Sequence, residues 1–309
     1  MARKVQHSLL TKAKTNKKDE FYTQLIDIES ELKHYKNHFK DKVVYCNCDD
    51  PRVSNFFKYF SSNFEKLGLK KIITSCYKKN ETGFFNEYNG GNIDLVNFKE
   101  DGDFRSKESI ELLKKSDIVV TNPPFSLFRE YVEQLIKFDK KFLIIGNINA
   151  ITYKEIFKLI KGNESWLGIN LGRGISGFIV PEHYGLYGTE ARIDNSGNRI
   201  VSPNNCLWLT NLDTSKRHED IVLTKRYYGN ENAYPNYDNY DGINVNKTKD
   251  IPMDYEGFMG VPITFLHKFN PDQFEIIKFR KGNNEKDLSI NGKCPYFRIL
   301  IRNKRLQNN

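Results

Sequence analysis

The stretch SDIVVTNPPFSLFREYVEQLIKF, residues 116–138, decides how the rest of the chain is read. Its opening, DIVV, is a short apolar run of the kind that forms a buried strand. The segment Asn122-Pro123-Pro124-Phe125 follows at once. Two prolines remove two backbone donors and fix two φ angles, so this is a rigid turn with little ladder pairing. The next residues place Leu127, Tyr131 and Leu135 at helical spacing, with Phe128, Val132 and Ile136 beside them. An amphipathic helix is expected there. Strand, rigid turn and helix make the repeating step of an α/β fold. The turn itself is either plain architecture or part of a site.

The same alternation extends on both sides. DEFYTQLIDIESELKHY carries Phe21, Leu25, Ile28 and Leu32 at helical spacing and predicts a first helix. KVVYCN predicts a buried strand ended by CDDP, residues 48–51. RVSNFFKYFSSNFEKLG aligns Val53, Phe56, Phe57, Phe60 and Phe64 on one face and closes at Gly68. KKIITSCY, NIDLVNF and KFLIIGN read as further strands, and EIFKLI as a short helix. Strands alternating with helices predict an α/β domain with a mostly parallel, Rossmann-like sheet and helices on both faces. In such sheets ligands lie beyond the carboxyl ends of the strands, which is where the CDDP, GDF and NPPF segments fall.

After LGRGISGFIVPEHYG the chain becomes punctuated by Gly and Pro, and 226–250 is rich in Asn, Tyr and Asp without periodicity. That stretch is expected to be a long loop or an aromatic-studded surface. The expected organisation is a basic arm at 1–18, a catalytic domain over 19–212 and a smaller C-terminal region over 213–309.

The chain has 309 residues, 39% of them hydrophobic, with a formal charge of +9 from 48 basic and 39 acidic side chains. No apolar run approaches the roughly 20 residues of a membrane helix. The basic start lacks the apolar core of a secretory signal, so a cytoplasmic protein is expected. Basic residues cluster at Arg3, Lys4, Lys12, Lys14, Lys17 and Lys18, and again at Lys293, Arg298, Arg302, Lys304 and Arg305. Such clusters suit phosphate contacts, or serve solubility alone. The five cysteines, at 46, 48, 76, 206 and 294, form no paired zinc-ligand spacing. His34 and His38 stand four apart, but no Glu follows His34 as HExxH requires. No metal is expected, and buried thiols and a solvated helix face are the readings adopted.

A rim built from these turns suits a flat heteroaromatic amine. The Asn122 side-chain oxygen and the Pro123 carbonyl can both accept from one amino group. Those bonds draw its protons out of conjugation and free the nitrogen lone pair. Phe125 can stack on the ring and hold it in plane. Catalysis is then alignment and preorganised electrostatics, with no strong base required.

DEFYTQ, YCNCDDPRVSNF, GDF, VTNPPFSLF, IIGNINA, CLWLTNL and GVPITFL occur in this order. Together they resemble the EcoRI-type adenine-specific DNA methyltransferases, from about residue 19 to the C-terminus. The resemblance implies S-adenosylmethionine as cofactor and double-stranded DNA as substrate. The adenine would be turned out of the helix so that its N6 amine reaches Asn122, Pro123, Pro124 and Phe125. It implies Tyr22 and Thr23 at the cofactor's methionine end. Asn47, Asp49, Asp50, Pro51 and Ser54 would lie beside the cofactor, and Asp103 and Phe104 at its adenine. It also implies a restriction-modification or an epigenetic setting, and in the former a cognate endonuclease. Two features depart from the wider fold: there is no GxG loop after the first strand, and IITSCYKK lacks an acid for the cofactor ribose, a role left to Asp49 or Asp50.

Plainer roles stand beside these: Asp49 and Asp50 as helix caps, GDF as an ordinary turn, Phe125 as a core side chain. Arg173 and Arg192 are candidate DNA contacts. Methylation of RNA adenine or of a glutamine amide is the alternative enzyme reading. A non-catalytic nucleic-acid-binding protein of the same fold is the alternative class. No GxxxxGK[ST] loop supports a nucleotide hydrolase.

Overall fold

Side chains buried on alternate sides of consecutive strands set the architecture. The computed structural model describes residues 22–170, 175–182, 184–186, 191–201 and 205–306. The basic arm at 1–18 and Arg173 lie outside them. In chain order the elements begin with β1 (Tyr22–Thr23), α1 (Leu25–Leu32), β2 (Val43–Asn47), α2 (Asn55–Ser62) and α3 (Phe64–Leu67). Then come β3 (Lys71–Cys76), β4 (Phe84–Tyr88), β5 (Val96–Asn97), α4 (Lys107–Lys115) and β6 (Ile118–Thr121). They continue with α5 (Phe128–Lys137), β7 (Lys141–Asn147), α6 (Lys154–Lys161) and β8 (Trp166–Leu167). Next are β9 (Phe178–Val180), β10 (Arg192–Ile193), β11 (Arg199–Val201) and β12 (Cys206–Thr210). The last are β13 (Asn236–Tyr237), β14 (Tyr240–Asn244), β15 (Met259–Pro262), β16 (Phe274–Phe279) and β17 (Arg298–Asn303).

The chain divides into two units. One takes the described residues up to Ile156 together with Leu167–Leu212; the other takes Phe157–Trp166 and the chain from Asp213. The first is built on an eight-stranded sheet of order β5-β4-β3-β2-β6-β7-β12-β8. Its centre is parallel: β3 with β2, β2 with β6, and β6 with β7. Toward the edges, β4 runs antiparallel to β3, β5 to β4, and β12 to β7. The sheet is therefore mixed, with four parallel strands between antiparallel flanks.

Strands β2 and β6 are buried along their whole length. Val44, Cys46, Ile118, Val120, Leu143 and Ile145 face a core built with Ile28 and Leu32 of α1 and Phe56, Phe57 and Phe60 of α2. Tyr45, Val119, Phe142 and Ile144 alternate with them and are also fully buried, so both faces are covered. Helix α5 lies on the second face, where the Phe128 ring approaches Gly146 so closely that a Cβ there would stand 2.5 Å from it.

Local signals account for most boundaries. Ser54 caps α2, accepting from Phe57 N at 3.1 Å. Gly68 ends α3 at φ +62°, a left-handed cap that favours glycine. Several expectations change. The first helix begins at Leu25, and Tyr22–Thr23 instead pair with β9. Val53 precedes α2 and is 58% exposed. NIDLVNF forms strand only at Val96–Asn97, while β4 and α4 were not anticipated. Both carry weak patterns: FFNEY alternates imperfectly, and KESIELLKK has few apolar residues. Cys46, Cys76 and Cys206 are buried, Cys48 is half-buried and Cys294 is exposed.

Three further strands join β1 in a four-stranded sheet of order β1-β9-β11-β10. The second unit carries a five-stranded sheet of order β13-β14-β15-β17-β16. Its Asn- and Tyr-rich stretch is not one long loop: β13 and β14 lie in it, with Tyr234 and Tyr237 buried. The basic end is largely tied up internally. Arg298 is buried and donates to Asn244 Oδ1 and the Tyr296 carbonyl at 2.9 and 2.8 Å. Arg302 pairs with Glu275 at 2.6 Å, Arg305 lies 3.6 Å from Asp220, and Lys304 Nζ donates to the Pro271 carbonyl. Among the described residues no helix is long and apolar enough to cross a membrane.

The Gly146–Phe128 contact gives a direct test of the packing that seats α5. Replacing Gly146 by Ala forces the Phe128 ring to move and is expected to cost about 1–3 kcal/mol. Urea denaturation measures it, and an unchanged midpoint would refute that packing.

Candidate active site

Parallel register brings the carboxyl ends of the central strands into line. Asn47 lies beside Ser75, and Tyr45 beside Val119, so Asn47 and Thr121 end neighbouring strands. The next strand, β7, ends at Asn147, which faces Cys206 at the start of β12. The turns leaving this rim are those the sequence singled out.

The turn after β2 opens at Cys48, whose φ is +63°. It then folds back so that Asp49 N donates to the Ser75 carbonyl at 2.8 Å. Ser54 Oγ donates to Asp49 Oδ1 at 2.9 Å. The Thr121 hydroxyl lies against both Asp49 Oδ2, at 2.9 Å, and the Asn47 carbonyl. Burial pushes the Asp49 carboxyl up to about 7, against the two hydroxyls, which favour its charge. One Thr121 proton serves two acceptors, so a protonated Asp49 relieves the competition.

Asp50 is the opposite case. Arg52 reaches it through Nε at 2.9 Å and Nη2 at 2.6 Å, and lies over the Phe84 ring at 4.7 Å. Partial burial works against the Asp50 charge, but the Arg52 bonds outweigh it and hold the carboxyl below its ordinary range. Neither aspartate caps α2; Ser54 does. Pro51 is buried, and Asn47 Oδ1 accepts from the buried Tyr131 hydroxyl of α5.

The GDF turn packs on the end of β3. Gly102 has φ +78°, and a Cβ there would stand 2.9 Å from the Cys76 carbonyl. Asp103 holds Arg105 through Nε at 2.8 Å and Nη2 at 2.6 Å. Phe104 is buried edge-on against Tyr131, centroids 5.1 Å apart. Tyr131 thus touches both the end of β2 and the GDF turn.

At the NPPF turn, Pro123 is buried and Asn122 half-buried, its side-chain oxygen withdrawn from solvent. Pro124 leads into a short 3-10 turn, Phe125–Leu127, with Leu127 N donating to the Pro124 carbonyl at 3.0 Å. Phe125 is half-buried and meets Phe178 edge-on at 6.1 Å. Phe178 of β9 pairs with Thr23 of β1. Asn55 Nδ2 donates to the Thr23 carbonyl at 2.9 Å, joining this segment to the start of α2. The Thr23 hydroxyl is buried with no hydrogen-bond partner among the described residues. A buried orphan of this kind calls for a ligand or water.

Tyr22, Thr23, Asn47, Asp49, Asp50, Pro51, Ser54, Asp103, Phe104 and the NPPF residues are therefore linked through a few contacts. Arg192 lies on the exposed β10, the strand of its sheet farthest from β1, with its charge favouring that of Asp27 in α1. Sequence reasoning did not single out Thr121, Tyr131, Asn55 or Phe178. Thr121 directly precedes the motif, and Tyr131 read only as a helix-core position.

Residues 9–304 match the profile of the family described as adenine-specific methyltransferase EcoRI. The chain is 70% identical to the type II methyltransferase M.EcoRI of Escherichia coli, over 99% of this chain and all of that protein. It is 38% identical to the type II methyltransferase M.MgeORF184P of Mycoplasma genitalium, covering 96% and 98%. Against M.MpnI of Mycoplasma pneumoniae the identity is 37%, covering 95% and 97%. No solved structure matches.

The Asp49 environment predicts a pH-dependent stability. Its carboxyl is raised when folded, so the folded state holds a proton that the unfolded state has released. Its contribution is present at about pH 4, near the ordinary carboxyl value, and is lost as pH rises through about 7. The Asp49→Asn variant lacks this loss and should gain on wild type across that window. Denaturation midpoints of the two proteins measured across it would contradict the assignment if their difference stayed constant.

Proposed function

The chain belongs to the family of adenine-specific methyltransferases typified by the EcoRI enzyme, and from that premise we propose how its residues perform the reaction. It is an adenine-specific DNA methyltransferase of the restriction-modification type. The observation that carries the site assignment is the placement of Asn122–Phe125 at the rim, tied through Phe178 to the buried Thr23 hydroxyl.

S-adenosylmethionine, when bound, supplies an electrophilic methyl group. The residues present fit it: an unpartnered buried hydroxyl at Thr23, and carboxylates at Asp49, Asp50 and Asp103 beside the ends of β2 and β3. Tyr22 and Thr23 would hold its amino-acid end, with Asn47, Asp49, Pro51 and Ser54 alongside. Asp50, kept charged by Arg52, suits the ribose hydroxyls. Asp103 would accept from its adenine amine, and Phe104 would support that ring.

The Asn122 side-chain oxygen and the Pro123 carbonyl would accept hydrogen bonds from the two N–H groups of the target N6 amine and leave its lone pair free for the methyl carbon. The Pro124 ring fixes the path of the turn, and Phe125 packs on the base. As the N–C bond formed, the methyl–sulfur bond would break and a neutral thioether would leave; the nitrogen would become cationic, stabilised by the two acceptors before a proton left to water. No strong base is needed because the charge forms beside acceptors already in place.

The base must leave the DNA stack to reach this clamp, at a cost of a few kcal/mol. We assign the four parallel strands and their helices to the Rossmann-like catalytic core, the unit from Asp213 onward to target recognition, and the basic arm to phosphate contacts. The setting is the cytoplasm, alongside a cognate endonuclease.

Asn122→Ala should fold and bind DNA but lower methyl transfer from labelled cofactor by about a hundredfold or more. Transfer at the wild-type rate would remove Asn122 from the clamp.

A further inference from the structure

Resting on that reading, we propose that Arg129, held over Tyr153, is a preset contact for a backbone phosphate flanking the target adenine. Arg129 lies in the first turn of α5, four residues after Phe125, and is exposed. Its guanidinium carbon stands 5.0 Å from the Tyr153 ring centroid. Tyr153 follows the 3-10 turn Ile148–Thr152 that leaves the end of β7, and its N–H donates to the Ala150 carbonyl at 3.0 Å. The cation therefore spans two turns of the same rim, those after β6 and β7, immediately beside the amine clamp.

The neighbouring arginines of this rim are occupied differently. Arg52 is locked on Asp50, and Arg105 on Asp103 with Glu130 at 3.4 Å. Glu130, adjacent to Arg129, is thus turned toward Arg105. Among the described residues no carboxylate lies within ion-pair distance of Arg129, including Glu133 one turn along. A ring face holds a guanidinium in place while leaving its N–H edge unsatisfied. That edge is the group that recognises a phosphate in a forked geometry. Extruding a base brings its own flanking phosphates to the mouth of the pocket, where a fixed cation loses little freedom on contact.

The test is equilibrium binding of a cognate duplex to the full-length protein across a salt series. Arg129→Gln should weaken binding about tenfold at moderate salt. It should also lower the slope of log affinity against log salt by about one. The loss should be larger for cognate than for unrelated DNA, because only the cognate duplex presents an extruded base and the phosphates that flank it. Arg129→Lys should restore the slope and only part of the affinity. Tyr153→Leu should weaken binding with the slope kept, since the charge remains and only its placement is lost. Wild-type protein that binds DNA steeply with salt, alongside an Arg129→Gln variant of equal slope, overturns this inference alone. Wild-type protein that binds no DNA at all overturns the reading of the preceding section with it.

Discussion

The Thr121 hydroxyl, wedged between the Asn47 carbonyl and the Asp49 carboxylate, joins the two halves of the rim. It exists because β2 and β6 are parallel and in a register that ends both strands at one level. A slip of one residue would turn Thr121 to the opposite face and remove the link. The next residue is Asn122, so the turn that presents the amide is anchored to the turn assigned to the cofactor by a buried side chain.

Adjacent aspartates on that turn have opposite fates. Asp49 meets only hydroxyls and a backbone carbonyl's neighbourhood, and burial drives it toward neutrality. Asp50, one residue on, is gripped by Arg52 and stays ionised. The contrast follows from partners: Asp49 meets the Thr121 and Ser54 hydroxyls, while the largely covered Asp50 is ion-paired with Arg52. A cationic ligand would meet a fixed negative charge at Asp50 and a responsive one at Asp49. The same principle distinguishes the arginines, since Arg52 and Arg105 stiffen turns while Arg129 rests on an aromatic face.

In the second unit, net charge proves a poor guide to which cations are available. Arg298, Arg302 and Arg305 all have partners within the unit. Arg298 can be buried because the Asn244 and Asn246 side-chain oxygens and the Tyr296 and Phe297 carbonyls accept from its guanidinium. An arginine count near the terminus says nothing of that. Lys293 and the many exposed lysines remain as surface charge.

Much of the fold was readable along the chain. The apolar runs VVYCN, KIITSC, IVVT and KFLIIGN are strands because uninterrupted burial on both faces leaves no polar alternation to hide them. The ordered motifs pointed to the family, and the double proline set the turn after β6 because ring closure dictates φ whatever surrounds it. The tertiary structure alone decided the rest. Antiparallel β4 and β12 depend on partners far along the chain, so no local pattern states their direction. The pairing of Tyr22–Thr23 with Ile179–Phe178 spans more than 150 residues, and a dipeptide carries no period. Which aspartate is buried, which arginine is paired and which hydroxyl bridges two turns are matters of distance and desolvation. Those quantities come into being only when remote segments meet.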